Sequence, residues 1–232
     1  VKEQALGERQ PGNDQRVSRV AAHRLSLYLR CLSDWSANQD TVSSGRIAAA
    51  VGVTDAQVRR DLASLGHLGQ RGIGYESQAL AAAIRVALGI DRTWNAVLVG
   101  VGNLARALLR YQGFRSQGFK IVGLFDSDKN KVGQNVEGLK VESVEDLSRR
   151  VGKLGAEIGI VTVPGEFAQK VTDSLVAGGV RGILNFAPVV LRLPSQISLV
   201  TVDLAIQLEQ LAFLVQHGDS QSTEDEQELG GE

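Results

Sequence analysis

The run A-V-L-V-G-V-G-N-L-A-R-A-L (Ala96–Leu108) decides how the C-terminal part of this chain folds. Ala96–Val99 is a short apolar strand pattern, Gly100 and Gly102 follow it, and helical character begins at Asn103. Strand, glycine turn and helix in that order make a cradle for a dinucleotide. Gly100 permits the sharp turn, and Gly102 lets the backbone approach a pyrophosphate, whose charge then meets the positive end of the helix. Gly100, Val101, Gly102, Asn103, Leu104 and Ala105 are therefore candidate cofactor-binding residues. Ala105 stands where the third glycine of G-x-G-x-x-G belongs, and its methyl is expected to loosen helix–strand packing slightly. Asp126 ends the next apolar run (Phe119–Phe125), where a carboxylate can take both hydroxyls of an adenine ribose. Ser127 and Asp128 follow it and no arginine is adjacent, which favours NAD(H) over NADP(H).

Working outward toward the C-terminus, Ile158–Val163 and Ile183–Phe186 are further apolar strand patterns, with a helix from about Phe167 to Ala177 between them. Apolar strands alternating with helices predict a parallel sheet covered on both faces. Residues 203–216 close the pattern as a helix whose stripe is Leu204, Leu208, Leu211 and Val215. Ile206 and Phe213 lie off that stripe, so the helix is apolar around more of its circumference than a surface helix needs, as expected of one docked into a partner subunit.

Toward the N-terminus the grammar changes. Residues 1–15 read as a flexible leader and Arg16–Trp35 as an amphipathic helix. Ser43 or Ser44 caps a short helix that Gly52 ends, and Thr54 opens another in which Gln57 completes a T-x-x-Q capping box. Helix, tight turn and helix form the helix-turn-helix pattern. In T-D-A-Q-V-R-R-D-L (Thr54–Leu62), Val58 and Leu62 face the core while Gln57, Arg59 and Arg60 project elsewhere, with the chemistry to read adenine, guanine or phosphate. The glycine-dense G-H-L-G-Q-R-G-I-G-Y (Gly66–Tyr75) suits a β-ribbon with Arg71 and Gly72 at its tip, the wing of a winged helix domain. Thr54, Gln57, Arg59, Arg60, Arg71 and Gly72 are the candidate DNA-binding residues. A helix from Gln78 to Leu88 leads to the second domain.

Composition bounds the function. The apolar fraction of 43% and charged fraction of 22% are those of a globular chain. No stretch nears the roughly 20 apolar residues that cross a bilayer, and no signal peptide pattern opens the chain, so the expected compartment is the cytoplasm. One cysteine (Cys31) and three scattered histidines offer no metal set. The net charge of −1 hides a segregation: residues 1–90 carry eleven basic against eight acidic side chains, while the tail after His217 has six acids and no base. That tail reads as disordered. Hydride transfer to a carbonyl needs a proton donor. The nucleotide domain has no histidine before His217, and Tyr111 is followed four residues later by Arg115 where a Tyr-x-x-x-Lys pair needs lysine. An enzyme is disfavoured.

These pieces in this order resemble the Rex family of redox-sensing transcriptional repressors. The resemblance rests on R-L-S-L-Y-L-R (Arg24–Arg30), V-T-D-A-Q-V-R-R-D-L (Val53–Leu62), Q-R-G-I-G-Y (Gln70–Tyr75), G-V-G-N-L-A-R-A-L (Gly100–Leu108), G-I-L-N-F-A-P-V-V-L (Gly182–Leu191) and V-D-L-A (Val202–Ala205). It implies an α/β chain with a winged helix domain (16–90), a Rossmann-like NAD(H) domain (91–201), a domain-swapped helix (202–217) and an acidic tail (218–232). It further implies a homodimer that NADH releases from operator DNA. Val163, Pro164, Asn185 and Phe186 would lie near the nicotinamide, and Arg30, Tyr111 and Asp203 would form a polar switch. Three positions depart from the family: Ala105 for glycine, Ser64 for a tyrosine after the recognition helix, and Gln112 for the proline after Tyr111. The alternatives are an NAD-dependent oxidoreductase with an accessory helical domain, a factor binding CoA or another nucleotide, a thiol sensor built on Cys31, and a diverged paralogue with altered sensing.

Overall fold

The computed structural model describes residues 17–35, 40–70 and 72–217. The expected leader, the acidic tail and Arg71 lie outside the described residues. The chain divides into two units, Val1–Arg92 and Thr93–Glu232.

In the N-terminal unit, α1 (Arg19–Trp35) buries Leu25, Tyr28, Leu29 and Leu32, which recur at helical spacing on one face. After β1 (Thr41–Val42) comes α2 (Ser44–Val51), where the Ser43 hydroxyl accepts the Arg46 N–H at 3.2 Å and Gly52 closes the helix at φ +70°. Next is α3 (Asp55–Ala63), capped by the Thr54 hydroxyl, which accepts the Gln57 N–H at 3.2 Å. The ribbon follows as β2 (Gly69–Gln70) and β3 (Gly74–Glu76), antiparallel, and α4 (Ser77–Ala87) completes the unit. Tyr28, Leu29, Ile47, Val58, Leu62, Leu80 and Ile84 form one core from all four helices. The ribbon gains a third strand from β1, which pairs with β3. Two residues are too few to show an alternating pattern, so β1 was not legible. Gly74 is required there: φ is +101°, and a Cβ would lie 2.4 Å from the Val42 carbonyl oxygen.

The second unit runs β4 (Trp94–Val99), α5 (Asn103–Arg110), α6 (Gln112–Ser116), β5 (Phe119–Asp126), β6 (Asn135–Val136) and β7 (Leu139–Ser143). It continues through α7 (Leu147–Lys153), β8 (Ile158–Val161), α8 (Gly165–Ala177), β9 (Gly182–Asn185), β10 (Ser198–Thr201) and α9 (Leu204–His217). The sheet order is β10-β9-β8-β4-β5-β7-β6, parallel except for the β6–β7 hairpin. Alternate residues of one strand enter two separate cores: Val97, Val99, Phe125, Val161 and Ile183 on one face, Ala96, Leu98, Leu124, Ile160 and Leu184 on the other. Burial on both faces explains the unbroken apolar runs.

One expectation needs correction. The third strand ends at Val161, not Val163, because the Thr162 hydroxyl turns back to the carbonyls of Val99 (3.0 Å) and Gly100 (2.9 Å), and α8 starts after Pro164. Within its own chain the last helix is open: Leu204, Leu208, Leu211, Phe213, Leu214 and Val215 are each more than half exposed.

Candidate nucleotide and DNA-binding sites

The strand order reverses between β4 and β8, since the chain proceeds from β4 to β5 and β7 on one side and from β8 to β9 and β10 on the other. Ligands of open α/β sheets bind outside the carboxyl ends of the strands at such a reversal. The Gly100 turn leaves β4 at this point and packs tightly on the turn after β8. Gly100 has φ +96°, and a Cβ there would lie 2.7 Å from both the Thr162 carbonyl oxygen and Val163 Cγ1. Gly102 differs. Its φ of −95° is open to any residue, yet a Cβ would meet nothing within 4 Å. The space before it is free, no side chain caps α5 there, and the first N–H groups of a helix lack intrahelical partners. This is the shape and polarity that a pyrophosphate needs.

Asn103 and Leu104 lie exposed on the first turn of α5, while Val101 is buried. Ala105 is fully buried in the core with Ala96, Leu98 and Leu124. Its methyl lies wholly within that packing.

Asp126 lies beneath the glycine turn with 6% of its surface exposed. Oδ2 accepts the Val101 N–H at 2.8 Å and Lys131 Nζ at 3.0 Å, and Oδ1 accepts the Asp128 N–H at 2.8 Å. Burial pushes the carboxyl up, but the Asp128 amide, Lys131 and the Val101 amide outweigh it and hold the group below the usual carboxylate range. It is ionised at neutral pH. An ionised carboxylate accepts about four hydrogen bonds, so one acceptor position on Oδ1 remains. With Lys131 on Oδ2, Asp126 of the single chain offers a cis-diol one further acceptor position. Lys131 stands five residues on, across a turn, so the residues beside Asp126 do not announce it.

Val163 is half-buried beside Gly100 and Pro164 is exposed at the start of α8. Asn185 is fully buried and its amide is spent on its own loop: Nδ2 donates to the carbonyls of Ala187 (2.9 Å) and Val189 (3.3 Å), and Oδ1 accepts the Ala187 N–H at 2.9 Å. Asn185 shapes the loop that carries Phe186. Tyr111 lies just beyond the far end of α5 from Gly102, roughly 12 Å along the axis at 1.5 Å per residue. Its ring packs edge-on against Phe114 (centroids 5.3 Å apart) and lines a 450 Å³ groove with Leu108, Phe119 and Leu139. A single chain thus separates Tyr111 from its own glycine turn. Asp203 caps α9, with Oδ1 accepting the Ala205 N–H at 2.9 Å, and Arg30 is exposed on α1.

In the N-terminal unit a buried network lies behind α3, built by contacts that the sequence pattern does not announce. Asp61, 6% exposed, accepts Arg24 Nε (2.6 Å) and Nη2 (2.7 Å), the Tyr28 hydroxyl (2.9 Å) and Gln57 Nε2 (2.8 Å). Burial raises the Asp61 carboxyl, and the bonds from Arg24, Tyr28 and Gln57 outweigh it, leaving the group below its ordinary range. Burial together with Asp61 pushes the Tyr28 phenol up to about 12. The capping box is only half formed as a result. Gln57 turns toward the charged Asp61, its Oε1 accepts Arg60 Nη1 at 3.3 Å, and it does not reach back to Thr54. Arg59 pairs with Asp55 one turn earlier, and the Ser64 hydroxyl bonds the Asp61 carbonyl at 2.6 Å. Arg59 also lines a groove of about 730 Å³ between α3 and the ribbon, with Ser44, Gly72, Ile73 and Tyr75.

Comparison with known proteins agrees with both halves. Residues 16–63 match a family model described as "Putative DNA-binding protein N-terminus", and residues 91–189 match one described as "CoA binding domain". The redox-sensing transcriptional repressor Rex of Syntrophomonas wolfei is 44% identical over 199 residues, covering 85% of this chain and 95% of that protein. The Rex of Carboxydothermus hydrogenoformans is 45% identical over 199 residues, 85% of this chain and 96% of that protein. Among solved structures, RSP in complex with β-NAD⁺ and operator DNA is similar with a TM-score of 0.82 at 31% identity, covering 91% of this chain and 98% of that one. RSP in complex with β-NADH gives 0.79 at 30% identity, covering 89% and 98%. With relatives so similar over nearly their whole length, this chain belongs to the Rex family of redox-sensing transcriptional repressors.

Proposed function

We propose that this protein is a repressor, not an enzyme, that binds operator DNA as a homodimer and is released by NADH, so that it reports the NADH/NAD⁺ ratio. The observation that carries the reading is the union, in one chain, of a wing-flanked α3 with an open Gly102 cradle beside an ionised Asp126. The Rex relatives are redox-sensing repressors, and RSP has been captured with NAD⁺ and operator DNA and with NADH.

Gly100, Val101, Gly102 and the first turn of α5 would hold the pyrophosphate of NAD(H), and Asp126 the adenine ribose. When bound, the nicotinamide supplies the signal, a ring that is cationic when oxidised and neutral when reduced. Arg60 and the ribbon tip, Arg71 and Gly72, would meet the duplex, with Arg59 and Thr54 at the phosphate edge of the groove beside α3. DNA selects one arrangement of the dimer and NADH another, so each weakens the other's binding, by about 5- to 150-fold for typical couplings. The exposed apolar α9 would dock in the partner subunit and carry Asp203 toward Arg30 and Tyr111. Operator binding sets the place of action where the DNA is, which we read as the cytoplasm.

The test is operator binding titrated with NADH and NAD⁺ on the wild type and on Asp126→Ala. NADH should release DNA from the wild type and act much more weakly on the variant. Equal DNA affinity at saturating NADH and NAD⁺ sinks the proposal.

A further inference from the structure

A cis-diol donates two hydrogen bonds, and Asp126 has one acceptor position left for them. The place of the second belongs to Lys131, whose ammonium sits 3.0 Å from Oδ2. Its side chain is 34% exposed against 8% for Asp126, so the lysine reaches in from the solvent side over the carboxylate. Its backbone is fixed by a tight turn: Lys131 N–H bonds the Asp128 carbonyl at 2.9 Å, the Gln134 N–H bonds the Lys131 carbonyl at 3.0 Å, and the Asp128 side chain holds the Asn130 N–H at 2.9 Å. A long flexible stem on a rigid base can swing its charge by a few ångströms without moving the loop.

Resting on the NAD(H) reading above, we propose that Lys131 is a specificity-determining residue of the ribose subsite, sharing the ribose with Asp126. Oδ1 of Asp126 accepts one hydroxyl, and Lys131, keeping one N–H on Oδ2, donates another to the second ribose oxygen. The same cation decides how strictly the site refuses a nucleotide bearing a 2′-phosphate. A phosphate has no hydrogen to give Asp126 and is repelled by its charge, while Lys131 attracts it. The subsite therefore holds one charge against and one charge for NADP(H). The preference for NADH is a difference between the two, not a simple exclusion by the acid. Removing the Asp126 charge leaves a cation facing the 2′ position, which makes a latent site for NADPH.

The experiment measures NADH and NADPH affinity of the full-length protein by nucleotide fluorescence, for the wild type, Lys131→Ala, Asp126→Asn and the double variant. Wild type should prefer NADH. Asp126→Asn should raise the NADPH/NADH affinity ratio at least tenfold, and adding Lys131→Ala should remove most of that gain. Asn keeps an oxygen for the Val101 N–H, and thermal melts report whether the fold survives. Should Asp126→Asn not fold, Lys131→Ala alone decides: its NADPH/NADH ratio should fall below that of the wild type by several-fold. An unchanged ratio in Lys131→Ala, or a double variant that retains the full gain, overturns the role of Lys131 while leaving the NADH site standing. A wild type that binds no NADH overturns both readings.

Discussion

Arg24 and Asp61 are joined by a two-point ion pair, Nε to Oδ2 at 2.6 Å and Nη2 to Oδ1 at 2.7 Å, that ties α1 to the back of α3. The same carboxylate holds Gln57, which in turn receives Arg60, so a buried charge fixes two side chains on the surface of α3. Removing one partner of a buried pair leaves the other uncompensated. Asp61→Ala should cost the N-terminal unit about 3 kcal/mol, read by urea denaturation of the full chain. Asp61→Asn should retain more of that stability yet bind operator DNA several-fold more weakly, because Arg24 and Gln57 lose their charged acceptor. Equal DNA affinity in Asp61→Asn and wild type contradicts the positioning role.

The network also sets a pH dependence. The folded Asp61 carboxyl lies below the roughly 3.9 of an unfolded aspartate, so its contribution is present above about pH 4 and is lost as pH falls through the folded value. Tyr28 behaves oppositely. Its phenol is raised to about 12 from the ordinary value near 10, so its contribution is complete below about pH 10 and is lost as pH rises toward 12. Thermal melts across pH should show both limbs, and Tyr28→Phe should flatten the alkaline one.

Two glycines of one turn should fail in different ways. Gly100→Ala places a methyl 2.7 Å from a backbone oxygen at φ +96°, so it should lower the melting temperature of the C-terminal unit as well as NADH affinity. Gly102→Ala meets no protein atom, so the fold should keep its melting temperature while NADH affinity falls at least tenfold. Such a variant should stay on operator DNA at NADH concentrations that release the wild type. A Gly102→Ala protein with unchanged NADH affinity puts the pyrophosphate elsewhere.

Gln112 is the first residue of α6, the helical position where proline is best tolerated, and Tyr111 before it is extended (φ −72°, ψ 104°). Gln112→Pro fits this backbone and should stabilise the C-terminal unit by about 0.4–1 kcal/mol through the unfolded chain. A calorimetric melt reads it directly, and a loss of stability would mean that the Gln112 N–H is needed.

What the sequence made legible was periodic or punctuated. The alternation of apolar strands and helices gave the parallel sheet, and Ser43, Gly52 and Thr54 gave the helix boundaries. The elements β1, β6, β7 and β10 escaped because they are two to five residues long and defined by their neighbours, not by their own pattern. Side-chain partnership was the other blind spot. Asp61 reads as a solvated charge in R-R-D-L, and only the approach of α1 makes it a buried hub. The Asn185 amide closes its own loop, a pairing that N-F-A-P does not announce. Lys131 becomes visible only when its turn folds back over Asp126.

The exposed helix α9 carries the last prediction. Leu208, Leu211 and Phe213 are 66%, 54% and 60% exposed in the single chain, although these are side chains that normally supply a core. A contiguous apolar surface of this kind marks an interface. If it is the dimer contact, Leu208→Glu combined with Leu211→Glu should bury charge against apolar surface and shift the protein to monomers in sedimentation velocity at micromolar concentration. The N-terminal unit lies outside the change and should keep its own melting transition. Operator affinity should fall by more than a hundredfold, because two half-sites bound by one dimer become two separate encounters. A double variant that remains dimeric would place the dimer contact elsewhere and leave α9 to another partner.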